Sequence, residues 1–208
     1  GDDVLYVGMS GGISGTAHAA ALAAEELREK YPRAKIMTID TYAASLGEGL
    51  QVLEAAELLC AGRSFEEVGD RILTRRPHMC QFFTVDDLNH LKRGGRINAA
   101  TALFGTMLAI KPVMHVDDEG RLIPVSKARG RKASLTALVD RMEATAIDPA
   151  GQTVFISHGD CLEDAEFVAG EVRRRLGVET VHINYVGPVI GNHSGPGTMA
   201  LFFLGSER

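Results

Sequence analysis

Tryptophan is absent from the 208-residue sequence, and tyrosine (4) and phenylalanine (8) are few. The core must therefore be largely aliphatic. Cysteine is scarce too: Cys60, Cys80 and Cys161 are widely spaced, odd in number and form no C-x-x-C. A disulfide scaffold and a zinc cluster are excluded, and buried thiols in a reducing cytoplasm are expected. No run reaches the ~18–20 consecutive apolar residues of a membrane span. The start, Gly1-Asp2-Asp3, lacks the basic and apolar regions of a signal peptide. A basic surplus is also missing: 22 Lys and Arg against 27 Asp and Glu give a net charge of −5. That balance argues against a non-specific nucleic-acid binder or an anionic-membrane binder. Neither a Walker A loop, nor G-x-G-x-x-G, nor H-E-x-x-H occurs, and the histidines show no metal-ligand spacing. No nucleophile and base pair declares itself, so the chain does not read as a hydrolase. No metal and no cofactor are expected.

What is present is ordinary globular material: 45% apolar and 24% charged residues. The length suits one large domain or two small lobes. Val4 to Val7 reads as a buried strand, followed by the small-residue turn Ser10 to Thr16 and an alanine-rich helix to about Pro32. Lys35 to Asp40 is the next strand, so a β-α-β unit with a parallel sheet is expected. Helices follow from near Ser45 to Ala61 and from Ser64, where Glu67 completes a capping box. Cys80 to Val85 is strand-like, and Asp86 or Asp87 caps a short helix to Lys92. Residues 98–110 suggest a small-residue apolar helix. Lys111 to Val125 suggests a hairpin around Asp118-Glu119-Gly120. A helix to about Ala146, a strand from Thr153, a helix from Glu163 and a strand from Val181 complete an α/β order. A glycine- and proline-rich loop (187–197) and the apolar segment Met199 to Leu204 close the chain. The expected domains are 1–95, a Rossmann-like α/β lobe read as lacking its N-terminal part, and 96–208, a second α/β lobe closing over the site.

Three groups of residues could carry chemistry. The loop Ser10 to Thr16 offers backbone N–H groups at a helix start, together with the hydroxyls of Ser10, Ser14 and Thr16. That set can hold a carboxylate or a small oxyanion; the plain alternative is a serine N-cap. Asp40, at the end of the second strand, keeps a rival reading open: a nucleotide-dependent α/β enzyme with phosphate on this loop and ribose on Asp40. The loop 187–197 presents a single histidine, His193, between glycines and a proline. Lys92, Arg93, Arg96, Lys127, Arg129, Arg131 and Lys132 stand out as basic groups that could meet phosphate or an acidic partner.

Four segments together resemble the DegV family of fatty-acid-binding proteins. They are Ser10-Gly-Gly-Ile-Ser-Gly-Thr16, Asp40-Thr-Tyr-Ala-Ala-Ser-Leu-Gly-Glu-Gly49, Leu91-Lys-Arg-Gly-Gly-Arg-Ile97 with Lys111-Pro112-Val113, and Gly187-Pro-Val-Ile-Gly-Asn-His-Ser-Gly-Pro-Gly197. Each alone is weak; in this order and spacing they are specific. The resemblance implies a two-lobed α/β fold of the EDD type, a parallel sheet in the first lobe, and an acyl chain buried between layers. It places the carboxylate on Ser14 and His193, and the loop hydroxyls of Ser10 and Thr16 noted above would join them. It further implies a non-catalytic, cytoplasmic lipid carrier of phospholipid metabolism that presents its fatty acid to a separate ATP-using kinase. Arg93, Arg96 and Arg129 are the implied docking residues. Leu103, Phe104, Met107, Met199 and Phe202 are candidate tunnel walls. The sequence departs from the family in lacking an upstream strand-helix segment with a Thr-Ser-Gln-Pro loop. A truncated or cleaved product is one expectation; a neighbour strand supplied from elsewhere is the other. A C16 tail would contribute about 12 kcal/mol at about 0.8 kcal/mol per CH₂, before binding costs. The head group then needs only a few hydrogen bonds.

Overall fold

The computed structural model describes residues 2–97 and 109–208. Val4–Gly8 forms β1 and Ile36–Asp40 forms β2, paired in parallel from Val4 opposite Ile36 to Gly8 opposite Asp40. Between them runs α1 (Thr16–Lys30), built on alanine, which favours the helix most. It stops at Tyr31, where the following Pro32 disfavours helical geometry. The expected β-α-β unit is present. Next come α2 (Leu46–Cys60) and α3 (Phe65–Arg75). The capping box of α3 forms as read: Glu67 N–H donates to the Ser64 hydroxyl at 3.3 Å, and Ser64 N–H to the Glu67 carboxylate at 2.8 Å.

A second sheet takes β3 (Met79–Thr84), β4 (Ile110–Val116), β5 (Leu122–Arg129), β6 (Val154–His158), β7 (Val181–Tyr185) and β8 (Met199–Leu204). Its order is β5-β4-β3-β8-β6-β7. Only β6 and β7 pair in parallel. β3 is buried along its whole length, so it needs neighbours on both sides and finds β4 and β8. The division between sheets therefore falls between β2 and β3, upstream of residue 95. The β4–β5 turn is held by Asp117, whose carboxylate accepts the N–H groups of Glu119 (3.0 Å) and Arg121 (2.8 Å).

Side chains alternate across β8. Met199, Leu201 and Phe203 pack in one cluster with Leu138 and Met142 of α5 (Arg131–Thr145) and Val168 of α6 (Leu162–Leu176). Ala200, Phe202 and Leu204 pack on the other face with Phe83 and with Leu50 of α2. That second face looks onto the cavity described below.

One expectation meets a different outcome. The segment 187–197 is not a loop throughout, because α7 (Pro188–Ser194) forms inside it. Pro188 occupies a first-turn position that suits its fixed φ, and Gly195 at φ +83° ends the helix. The helix expected over 98–110 lies outside the described residues except at its end. There Ala109 has φ +67° and Ile110 opens β4. α4 (Leu88–Gly94) starts on Asp87, whose carboxylate accepts the Asn89 N–H at 2.8 Å, and ends at Gly95 with φ +73°. Among the described residues no helix is long and apolar enough to cross a membrane.

Candidate functional site

The larger sheet, the loops after β1 and β2, α4 and α7 enclose a cavity of about 140 Å³. That is roughly ten times the room one ordered water requires. Its walls are mostly apolar, with Phe83, Leu91, Val116, Leu122, Ile190 and Phe202 among them. Several polar groups break that surface: Ser14, Arg96 and His193, separately Ser45 and Ser157, and Gln81, Ser194 and Thr198, whose side chains are bonded to backbone groups. An apolar cavity with a few placed polar groups is the ordinary form of a small-molecule site. All four segments singled out in the sequence reach it. Ile13 and Ser14 come from the first, Ala44 and Ser45 from the second, Leu91 and Arg96 from the third, and Val189, Ile190 and His193 from the fourth.

His193 is held by a single, informative bond. Its Nδ1 lies 2.8 Å from the Gly94 carbonyl at the end of α4. A carbonyl only accepts, so Nδ1 carries the proton. A neutral ring then offers only a lone pair at Nε2; donating there requires the imidazolium. The reverse bond ties the same helices: His90 of α4 lies with Nε2 2.9 Å from the Asn192 carbonyl of α7. The close approach demands glycine at 94, where a Cβ would stand 2.4 Å from the His193 carbonyl oxygen. The third and fourth segments are thus two halves of one clamp.

The glycine loop divides its hydroxyls. Ser14 lines the cavity and lies 2.8 Å from the Thr16 hydroxyl, while Thr16 N–H donates to Ser14 Oγ at 3.3 Å. Thr16 is exposed and supports Ser14 without lining the cavity. Ser10 is fully buried, and its hydroxyl donates to the Gly120 carbonyl at 2.7 Å and accepts from Gly12 N–H at 3.1 Å. It pins the loop to the β4–β5 turn, its proton is committed to that carbonyl, and it does not line the cavity. Gly8-Met9-Ser10-Gly11-Gly12 also spells G-x-S-x-G, a nucleophile-elbow pattern that the sequence reading wrongly took to be absent. With Ser10 turned into the packing and no histidine bonded to it, the pattern here serves a turn. Asp40 is likewise engaged, accepting the N–H groups of Gly11 (2.9 Å) and Tyr42 (3.0 Å). A carboxylate holding that loop is poorly placed to hold a ribose.

The basic candidates separate. Arg96 lines the cavity and also a shallow groove with Gly11 to Gly15 and Arg121. Arg93 is exposed and pairs with Asp87 at 3.8 Å. Arg129 is exposed at the far end of β5 from Leu122, which Ile97 bridges. Seven residues of strand put it about 23 Å along β5 from that bridge. Of the tunnel candidates, Phe202 lines the cavity, whereas Met199 faces the α5–α6 side because its parity along β8 is odd against Phe202. Leu103, Phe104 and Met107 lie outside the described residues. His158 is buried and accepts the Cys161 N–H at Nδ1 (3.2 Å), a strand-end contact. Ser45 and Ser157 escaped the sequence reading. Ser45 looked like an ordinary helix start, and nothing marks Ser157 beyond its place near a strand end.

Comparison with known proteins places this arrangement. The sequence model of the DegV family, described as an uncharacterised protein family, matches residues 1–206. A DegV domain-containing protein of Clostridium perfringens, CPE0026, is 45% identical over 208 residues, covering 100% of this chain and 72% of its own length. The Lactococcus lactis protein YteA is 39% identical over 203 residues, with 98% and 70% covered. The chain thus spans about seven-tenths of these relatives. Among solved structures, a fatty-acid-binding DegV family protein from Thermus thermophilus superposes with TM-score 0.84 at 36% identity, covering 97% of this chain and 70% of that one. The Streptococcus pneumoniae Fatty Acid Kinase (Fak) B3 protein, loaded with linoleic acid, gives TM-score 0.88 at 23% identity over 97% and 71%. At that identity the second likeness shows the fold alone. By family model and by relatives alike, the chain belongs to the DegV family.

Proposed function

We propose that this chain binds a long-chain fatty acid in the cavity, with the carboxyl group at Ser14, His193 and Arg96. One observation carries the reading: two polar side chains from opposite ends of the chain, Ser14 and His193, line the same mostly apolar cavity. The aliphatic wall supplies affinity, and the polar groups fix which end of the ligand sits where. The fatty-acid binding named for the Thermus thermophilus relative supports the ligand class.

Chemically, the His193 geometry sets the terms. With Nδ1–H committed to Gly94, Nε2 meets the carboxyl either as imidazolium to carboxylate or as acceptor from the protonated acid. Both descriptions hold one proton between ring and carboxyl. Ser14 contributes a hydroxyl beside it, and Arg96 a cation that favours an anionic ligand.

We further read the protein as a binding subunit that presents its carboxyl group to a separate ATP-dependent kinase, as the name of the pneumococcal neighbour suggests. The groove formed by Gly11 to Gly15, Arg96 and Arg121 adjoins the polar end of the cavity and would face the incoming phosphoryl group. Arg93 and Arg129 stand on other parts of the surface and would make partner contacts.

Mass spectrometry of the extracted native protein tests the ligand class. A long-chain fatty acid is expected; adenine nucleotide alone would overturn the reading. For the partner, removing the charge of Arg93 or Arg129 should leave fatty-acid affinity intact and weaken kinase-dependent turnover, more so at high salt. An equal loss of lipid binding would make these arginines structural.

A further inference from the structure

The cavity holds a second polar feature that the carboxyl group does not need. Ser45 sits in the N-cap position of α2, yet its hydroxyl bonds none of that helix's N–H groups. It donates instead across the fold to Ser157 Oγ of β6, at 3.1 Å. Its backbone stands at φ +55°, ψ −132°, a conformation that L-residues rarely adopt. Ser157 is fully buried, and both side chains line the cavity.

The proton count is uneven. Two hydroxyls carry two protons, and their mutual bond uses the one on Ser45. The proton of Ser157 has no acceptor among the described residues. A buried donor without an acceptor costs more than a made hydrogen bond gains, so such a group favours a ligand that supplies an oxygen. The neighbouring wall is mostly apolar: Ala200 stands opposite Ser157 in the β6–β8 register, with Ala44, Val186 and Phe202 also lining the cavity, and the Gln81 amide there is engaged by the Ala44 N–H and the Tyr42 carbonyl. No hydrogen bond joins the pair to Ser14, Arg96 or His193, whose partners are Thr16 and Gly94.

We propose that Ser45 and Ser157 form a second subsite that receives an oxygen substituent on the acyl chain, a hydroxyl or oxo group away from the carboxyl end. This rests on the fatty-acid reading of the cavity. A single neutral donor matches a single neutral oxygen. A carboxylate calls for charge-assisted donors, which stand at Arg96 and His193. A chain hydroxyl can also donate to a free lone pair of the serine pair, completing both groups.

The test is a binding series: stearic acid against positional isomers of hydroxystearic acid, on wild type, Ser157→Ala, Ser157→Val and Ser45→Ala. In wild type, one isomer or a narrow range should bind about three- to tenfold tighter than stearic acid, the yield of one hydrogen bond. Both Ser157 variants should abolish that preference while stearic acid binds at least as tightly as before. Ser45→Ala, which leaves the Ser157 donor in place, should keep it. If no isomer exceeds stearic acid in wild type, water fills the site and the proposal falls. It falls equally if the preference survives both Ser157 variants. Should the Ser157 variants weaken stearic acid as much as the hydroxy acids, the pair belongs to the carboxyl site. If stearic acid fails to bind wild type at all, the fatty-acid reading itself fails.

Discussion

Two glycine-rich segments, Ser10–Thr16 and Gly187–Gly197, look alike in sequence and behave differently in the fold. The first remains a turn, and part of its polar content serves that turn: Ser10 bonds Gly120, and Asp40 holds Gly11. Only Ser14 is left facing the cavity. The second winds into α7, and Gly94 of α4 lets the two helices approach closely enough for its carbonyl to orient the His193 ring. Small residues therefore do two jobs here, packing one loop against a neighbouring turn and aiming one side chain. What separates the jobs is where each polar atom finds its partner, which spacing alone does not report.

The largest effect expected from this contrast is at His193. A hydrogen bond to a charged group is worth about 1.5–3 kcal/mol, so His193→Ala should weaken fatty-acid binding roughly ten- to a hundredfold. The methyl ester, which presents no carboxylate, should bind wild type poorly and lose little more. Fluorescence competition with both ligands reads the difference; equal losses would make His193 a packing residue. Ser10→Ala should show the opposite profile. It leaves the buried Gly120 carbonyl and the Gly12 N–H without their partner, at a cost of about 1–3 kcal/mol in denaturant-measured stability. Fatty-acid affinity should stay near wild type. A large affinity loss without destabilisation would place Ser10 in the ligand site after all. Ser14→Ala should be milder, about three- to tenfold in affinity with stability almost unchanged, since neighbouring backbone amides remain.

The smallest effect concerns pH and lies away from both segments. Burial pushes the His115 imidazole below its ordinary value of 6.5, and its ring stacks on Phe82. As pH falls through that value the unfolded chain binds the proton first. Stability therefore declines with acidification, until the folded-state value is also passed. His115→Gln should flatten that part of the stability profile relative to wild type. An unchanged slope would mean that the ring titrates alike in both states.

Much of the scaffold was legible. The β1-α1-β2 unit, the Ser64–Glu67 capping box and the Asp118–Gly120 turn follow from local chemistry, and each formed as read. Ser14 and His193, singled out with their segments, both line the cavity. The misses share one cause: they depend on contacts between residues far apart in the chain. Whether Ser10 faces ligand or Gly120 depends on a turn 110 residues away. Met199 and Phe202 share one apolar run, and only the packing of β8 decides which parity faces the cavity. Ser45 and Ser157 become a pair only once α2 lies on β6.

The central claim is that the carboxyl group is received at Nε2 of a ring whose Nδ1–H is fixed by Gly94. Calorimetry at pH 8 tests it, using a medium-chain fatty acid below its micellar concentration, in two buffers of different ionisation enthalpy. At that pH free carboxyls are ionised and ordinary imidazoles are neutral, so a shared proton must be drawn from the buffer. Wild type should take up about one proton per acid bound, and His193→Ala essentially none. Tight binding by wild type with no proton taken up would contradict the account.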